Sequence, residues 1–356
     1  MRSKRAALAI VLALVIAACG GDGGEATTTA ADATTPPATE ATTPPATEET
    51  TATSAPGETP TEMASVRFRL NWVIAGNHAP YFLAKKEGFW EACGLDVTLN
   101  AGQGSGDTAQ LVGTGAEEFG LTDAVSISAG RSQGLPIKSI GVIYQDNPSS
   151  LVSYVDTGIE ELADVEGKTY GAVPGGSPYL LLHALWEENG IDVDSIREVS
   201  VPAPGIAQLK TRQVDFITFF GNEVVNIEAD TSLLNVLFFR DFGLESYGLA
   251  LAASDDYIAE NPNAVQCFVD GVRQGFEAAA ADPEAALQAL YEAAPETEQA
   301  PEVHQAMLEG AFEFAGDDLL SQNLEKWTAT HDFLFEAGVI EEAVDPAELF
   351  TDEFGQ

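Results

Sequence analysis

Short apolar runs alternate with longer stretches of helical spacing along most of this chain. VRFRLNW (66–72) reads as a strand, APYFLAKKEGFWEAC (79–93) as a helix and LDVTLN (95–100) as a strand. GDTAQLVGTG (106–115) predicts a helix, EFGLT (118–122) a strand, DAVSISAGRSQG (123–134) a helix and PIKSIGVIY (136–144) a strand. The chain then runs extended around 150–158 into a second series: KTYGAV, SPYLLLHALWEENG, REVSV, PGIAQLKT, VDFITF and NEVVNIEA. YGLALAAS (247–254) reads as a strand returning to the first series, and helices follow to the C-terminus. Such alternation predicts parallel sheets with right-handed crossovers. The fold class expected is α/β, two lobes with the second inserted into the first: 64–152 plus 248–356 as lobe I and 153–247 as lobe II. Two extended crossovers, near 150–156 and 246–252, make a hinge, and the cleft between lobes is the place for a ligand. In the C-terminal helices, Phe268, Val272, Phe276, Trp327, Phe333 and Phe335 recur at three- and four-residue spacing and read as core.

The first 63 residues break this pattern. MRSKR is a basic start, residues 6–18 are an apolar run too short to span a bilayer, and Ile16-Ala17-Ala18-Cys19 matches a lipobox. Residues 1–18 are read as an export signal and Cys19 as the lipidation site, which anchors rather than inserts the mature protein. Residues 19–63 are dominated by Thr, Ala, Pro, Glu and Gly, with TTPPATEATTPPATEETTAT nearly repeating. With almost nothing to bury, this stretch is expected to be a disordered linker reaching roughly 35–40 Å as a flexible coil.

Charge narrows the partners. With the eight acids of the linker and the three bases of the leader set aside, 48 acidic residues face 13 basic ones, a net of −35. That excludes a nucleic-acid partner, which needs basic surface. Cys93 and Cys267 are left after the lipobox cysteine. Outside the membrane they can pair, but their spacing decides nothing, and two buried free thiols is the reading favoured here. The four histidines lie far apart without metal-ligand spacing, so no metal is expected.

LNWVIAGNHAPYFLAKKEGFWEACGLDVTL (70–99) resembles the opening of solute-binding proteins related to thiamine-pyrimidine synthase, themselves similar to sulfonate- and taurine-binding proteins of ABC importers. GSGDTAQLVGTGAEEFGLTDAVSISAG, LADVEGKTYGAVPGGSPY and GNEVVNIEAD follow at the distances that family has. The resemblance implies a periplasmic-binding-protein type fold, a small-molecule ligand, a permease partner, a monomer on the outer face of the membrane, and no cofactor.

Each candidate residue carries two readings. Asn71 and Trp72 end a strand where open α/β sheets bind ligands. Trp72 either stacks on a heteroaromatic ring or covers the sheet. His78 either orients the following helix or bonds the ligand, and Tyr81 one turn later offers ring and hydroxyl. Ser105, Gly176 and Ser177 sit in glycine-rich turns opening helices, as anion or carbonyl cradles or as plain N-caps, with Tyr179 in reach. Asn222 and Glu223 follow an apolar strand, an expensive place for a carboxylate unless something pairs with it; the alternative is a helix-start acid. Thr122 and Asp123 are given the same part in the first lobe. The ligand expected is hydroxymethylpyrimidine or formylaminopyrimidine, with riboflavin next and sulfonate or taurine third. The eukaryotic pyrimidine synthase of this family holds pyridoxal phosphate on a lysine and sacrifices a histidine. The corresponding positions here are Thr122 and Ser126, and no cysteine-rich segment lies near 247–254. A Schiff base needs an amine, so the expectation is a receptor and not an enzyme.

Overall fold

The computed structural model describes residues 63–174 and 176–355; the expected leader 1–18, Cys19 and all but the last residue of the linker lie outside the described residues. The first series forms β1 (Ala64–Arg69), α1 (Ala79–Lys86), β2 (Leu95–Asn100), α2 (Ser105–Gly113), β3 (Phe119–Asp123), α3 (Ala124–Ser132) and β4 (Ile137–Val142). The helix expected over 79–93 stops at Lys86, and a 3-10 turn at Glu91–Cys93 replaces its second half. The second series forms β5 (Ser149–Tyr154), β6 (Thr169–Ala172), α4 (Ser177–Glu188), β7 (Arg197–Ser200), α5 (Ile206–Lys210), β8 (Phe216–Phe220) and β9 (Leu234–Phe238). The chain then returns through β10 (Leu249–Ser254) and continues as α6 (Asp255–Glu260), α7 (Pro262–Ala281), α8 (Pro283–Ala293), α9 (Pro301–Ala315) and α10 (Leu324–Glu336). The segment expected as a helix over 222–229 is a 3-10 turn, Gly221–Asn226.

The strands make two five-stranded sheets, β2-β1-β3-β10-β4 and β7-β6-β8-β5-β9. They are mixed, which corrects the expectation of parallel pairing throughout. β10 runs antiparallel to β3 and β4, and β5 antiparallel to β8 and β9. In each sheet the antiparallel strand is the one that has just crossed from the other sheet and therefore enters from the opposite end. Because β5 belongs wholly to the second sheet, the first crossing lies between Val142 and Ser149, earlier than the expected 150–156.

The two crossings run side by side. The Gly248 N–H donates to the Tyr144 carbonyl at 2.9 Å, and Asn147 Nδ2 donates to the Tyr247 carbonyl at 3.2 Å. A Cβ on Gly248 would lie 2.7 Å from the Asp146 carbonyl oxygen, so the crossing strands approach too closely for any other residue.

Lobe I buries a large aromatic cluster in which Phe119 and Phe268 stack at 3.8 Å and Phe68 meets Phe268 edge-on. Phe268, Val272, Phe276 and Trp327 are core as expected, but Phe335 is 42% exposed and Phe333 half-buried. The buried face of α10 is Trp327, Thr330, His331 and Leu334, a helical stripe that turns Phe335 outward. Cys93 and Cys267 are bonded to each other with Cα atoms 5.9 Å apart, which corrects the free-thiol reading. The pairing is set by the packing of α1 and its following turn on α7, and Trp90 Nε1 donates to the Phe268 carbonyl alongside it at 2.9 Å.

Candidate functional site

A cleft partly open to solvent lies between the carboxyl ends of β1 and β8. Asn71, Trp72, Gly104 and Ser105 line it from lobe I; Gly176, Ser177, Tyr179, Thr218, Phe220 and Glu223 are among the lobe II residues.

Lobe I builds its wall from the Leu70–Tyr81 corner. Leu70 is buried, and its carbonyl accepts from Thr108 Oγ1 at 2.9 Å, which fixes where the strand ends. Trp72 follows, half-exposed, with the indole passing Gly104, which caps α2 at φ 139°, a conformation open to glycine. His78 is fully buried. Its Nδ1 accepts from the Ala75 N–H at 3.1 Å, so Nε2 carries the proton and donates to Asn71 Oδ1 at 3.0 Å. Burial, and secondarily His304 nearby, pushes the imidazole pKa down to about 3 and keeps it neutral. Asn71 is thereby oriented, and its Nδ2 has no protein partner among the described residues.

Two expectations at this corner need correcting. Tyr81 does not line the cleft; it is 1% exposed and packs edge-on against Phe68 and Phe276. His78 does not line it either and acts through Asn71. The helix that starts at Ala79 turns Tyr81 onto the face that packs against α7, away from the opening.

Thr122 and Asp123 are buried behind the cleft, not on its surface. Thr122 Oγ1 donates to the Ser105 carbonyl at 2.8 Å. Asp123 caps α3, accepting from the Ser126 N–H at 2.7 Å, and its other oxygen accepts from Ser177 Oγ at 2.6 Å. That last bond crosses from one lobe to the other. Ser105 and Ser177 line the cleft at helix starts without capping through their side chains. Tyr179 is held by its hydroxyl donating to Glu198 at 3.1 Å and by His183, whose ring lies 4.3 Å away.

On lobe II, Asn222 and Glu223 separate. Asn222 does not line the cleft: its amide is buried next to the Tyr144 hydroxyl and beside α9, where Gly310 meets its backbone. Glu223 does line it, 8% exposed. Its Oε1 accepts from Asn77 Nδ2 of lobe I at 3.0 Å, while burial alone pushes its pKa up to about 7. Tyr144, on the first crossing, lies beside Asn77, Asn222 and Glu223, and burial together with the Glu223 charge raises its pKa. No lysine or arginine is among the lining residues.

Sequence reasoning missed Thr218, Phe219 and Phe220 as lining residues. They close β8, and the rule that placed Trp72 at a strand's carboxyl end applies to them equally. It also missed Asn77, whose role depends on the far lobe and leaves no local signal.

The profile of the family described as NMT1/THI5 like matches residues 75–286, more than half of the chain. The chain belongs to the NMT1/THI5 like family. Among curated proteins it is 28% identical over 318 residues to the riboflavin-binding protein RibY of Chloroflexus aurantiacus, covering 84% of this chain and 88% of that one. It is 23% identical to the 4-amino-5-hydroxymethyl-2-methylpyrimidine phosphate synthase of Legionella pneumophila, covering 82% and 94%. Among solved structures, the alkanesulfonate-binding protein SsuA of Xanthomonas axonopodis bound to MOPS superposes with a TM-score of 0.66 at 16% identity, covering 82% and 99%. The fold is thus that of periplasmic binding proteins. In this NMT1/THI5 like chain the matched stretch holds His78, Asp123, Ser177 and Glu223, while Asn71 and Trp72 lie just ahead of it.

Proposed function

We propose that this protein is a solute-binding receptor of an ABC importer, held on the outer face of the membrane by lipid on Cys19, that closes its lobes on a small heteroaromatic ligand. The ligand favoured is a thiamine pyrimidine precursor, hydroxymethylpyrimidine or formylaminopyrimidine. The observation that carries this reading is the Glu223 carboxyl, buried on the cleft floor with no cation beside it, between aromatic walls. Burying an acid this way is unfavourable unless a ligand supplies its partner. An aminopyrimidine edge offers one donor and one acceptor, which complements a carboxyl sharing one proton. A sulfonate needs cations or many donors, and the lining residues include no cation. The likeness to sulfonate-binding structures supports the fold and not that ligand.

Riboflavin is the second reading, favoured by the match to RibY. A pyrimidine-forming enzyme is third. Against it, Thr122 has no amine for a Schiff base and its hydroxyl is committed to Ser105.

The test is thermal shift and calorimetry on the purified protein with hydroxymethylpyrimidine, formylaminopyrimidine, thiamine, riboflavin and taurine. A melting-temperature rise with a pyrimidine, abolished in Glu223→Ala, is expected. A response to riboflavin or taurine alone replaces the ligand and keeps the receptor; pyrimidine binding unchanged in Glu223→Ala removes the reading.

A further inference from the structure

Glu223 belongs to lobe II, yet its one hydrogen-bond donor among the described side chains, Asn77, comes from the 3-10 turn Gly76–His78 of lobe I. Asn77 is 4% exposed and is held from both sides. The preceding Gly76 N–H donates to His304 Nδ1 of α9 at 3.0 Å, and the following His78 is locked to Ala75 and Asn71. The same helix α9 packs on the Gly221–Asn226 turn that carries Glu223. Donor and acceptor are therefore each fixed to a rigid element, and the bond between them exists where the two lobes meet.

We infer that Asn77 is a positioning residue for Glu223: by donating to Oε1 from the opposite lobe it keeps that oxygen an acceptor and presents Oε2, with any proton the carboxyl carries, to the cleft. An amide N–H cannot share a site with an O–H, so a proton on the carboxyl goes to Oε2. Donation to the carboxylate also favours the ionised form against the burial that opposes it. Because α9 packs on both turns, the contact is held in the ligand-free protein, where it joins the lobes alongside the Ser177–Asp123 bond. The functional side of this inference rests on the reading of the cleft as the ligand site.

The groups around Glu223 leave Asn77 as the adjustable one. Tyr144 is the titratable neighbour from the crossing, and burial keeps it neutral through the range of interest. His78 and His304, behind the turn and on α9, are both shifted down and act as acceptors of backbone N–H groups. α9 meets the Glu223 turn with Met307, near Asn226, and with Gly310; β8 and β9 bring Phe220 and Phe238.

The experiment follows the Glu223 carboxyl by ¹³C NMR on the ligand-free, full-length protein labelled at glutamate, with Glu223→Gln identifying the signal. Wild type is expected to titrate near pH 7. Asn77→Ala should raise the midpoint by half a unit or more, a threefold or larger change in the protonation constant. Asn77→Asp, nearly the same size and able to fold if the alanine variant does not, should raise it further, since two carboxyls would share one proton. A lower melting temperature with an unmoved midpoint in either variant would reduce Asn77 to a structural role and overturn the inference. A parallel titration with hydroxymethylpyrimidine and riboflavin separates the two claims. If neither binds while the midpoint still moves, the ligand reading fails and the positioning role stands. If a ligand binds, Asn77→Ala should weaken it tenfold or more in wild type and less than twofold in Glu223→Gln; equal losses in both backgrounds count against coupling through Glu223.

Discussion

The Leu70–Tyr81 corner of lobe I and the Phe220–Asn226 corner of lobe II begin alike, each at the carboxyl end of an interior strand of its sheet. They use their polar residues in opposite ways. In lobe I, His78 satisfies Asn71 and Ala75, Thr108 satisfies Leu70, and Tyr81 disappears into aromatic core. In lobe II, the Asn222 amide is buried next to the Tyr144 hydroxyl of the first crossing, and Glu223 has a single donor, which arrives from the other lobe. Buried polar groups are ordinarily paired, so Glu223, with one donor for two oxygens, marks where chemistry is still to be supplied. The first corner is paired mainly within lobe I, leaving Asn71 Nδ2 and the buried Asn77 Oδ1 open, and it aims Asn71 and Trp72; the second is completed from outside its own lobe.

The largest effect expected from breaking this contrast concerns the Cys93–Cys267 bond behind the lobe I corner. It spans 174 residues, and closing a loop of that length is worth about 5 kcal/mol of unfolded-chain entropy, near the upper end for disulfides. Reduction, or the paired replacement Cys93→Ser with Cys267→Ser, should lower stability to urea by about 3–5 kcal/mol. Hydrogen exchange should rise in α1 and α7 well before α4, since the bond joins elements of lobe I alone. Equal acceleration in both lobes would show that lobe I is not the independently braced half.

Much of this arrangement is legible from residues alone, and the failures share a cause. The strand–helix alternation and the positions of Asn71, Trp72, Ser105, Gly176, Ser177, Tyr179 and Glu223 on the cleft follow from strands ending at their carboxyl edge and helices starting there. Tyr81 failed because an aromatic one turn into a helix has the same local spacing whether it faces a cleft or Phe276. Phe335 failed for the same reason: a periodic pattern fixes a stripe, and which residues fall at its margin depends on what α10 packs against. The disulfide and the Asn77–Glu223 bond join positions 174 and 146 residues apart, and nothing local encodes them. The direction of β5 and β10 was lost because each enters from the other sheet.

Glu223→Gln sharpens the comparison next. Burial pushes the carboxyl from its ordinary 4.5 up to about 7, so the native state binds more protons than the unfolded chain between pH 4.5 and 7. Stability therefore falls as pH rises through that window and stays low above it. His78 has the opposite slope: with its pKa near 3 instead of 6.5, the native state binds fewer protons and stability rises between pH 3 and 6.5. The two nearly cancel from 4.5 to 6.5. Glu223→Gln removes one, so it should stabilise the ligand-free protein by about 2–3 kcal/mol at pH 8, by little at pH 4, and leave a net rise over 4.5–6.5. Denaturation curves at pH 4, 6 and 8 check this, and a variant no more stable than wild type at pH 8 would mean that Glu223 is not carrying an uncompensated charge. The same variant bears on the ligand. Glutamine keeps a donor and an acceptor at all pH values, so pyrimidine binding should lose its decline above pH 7.

The smallest effect on stability, and the one that isolates the lobe I side of the cleft, belongs to Trp72→Ala. Trp72 is half-exposed and lines the opening, whereas Trp90, Trp186 and Trp327 are fully buried. Its removal should change unfolding free energy by less than about 1 kcal/mol, as for a surface position, while a stacked ring lost from the ligand weakens binding by about 1–2 kcal/mol, roughly five- to thirtyfold. The ratio of the two effects is the informative quantity. A large stability loss with unchanged affinity would assign Trp72 to covering the sheet, as the buried Tyr81 does for its own side of the lobe. A large affinity loss with little change in stability would make Trp72 the part of the lobe I corner that faces the ligand, set against Glu223 on the lobe II side.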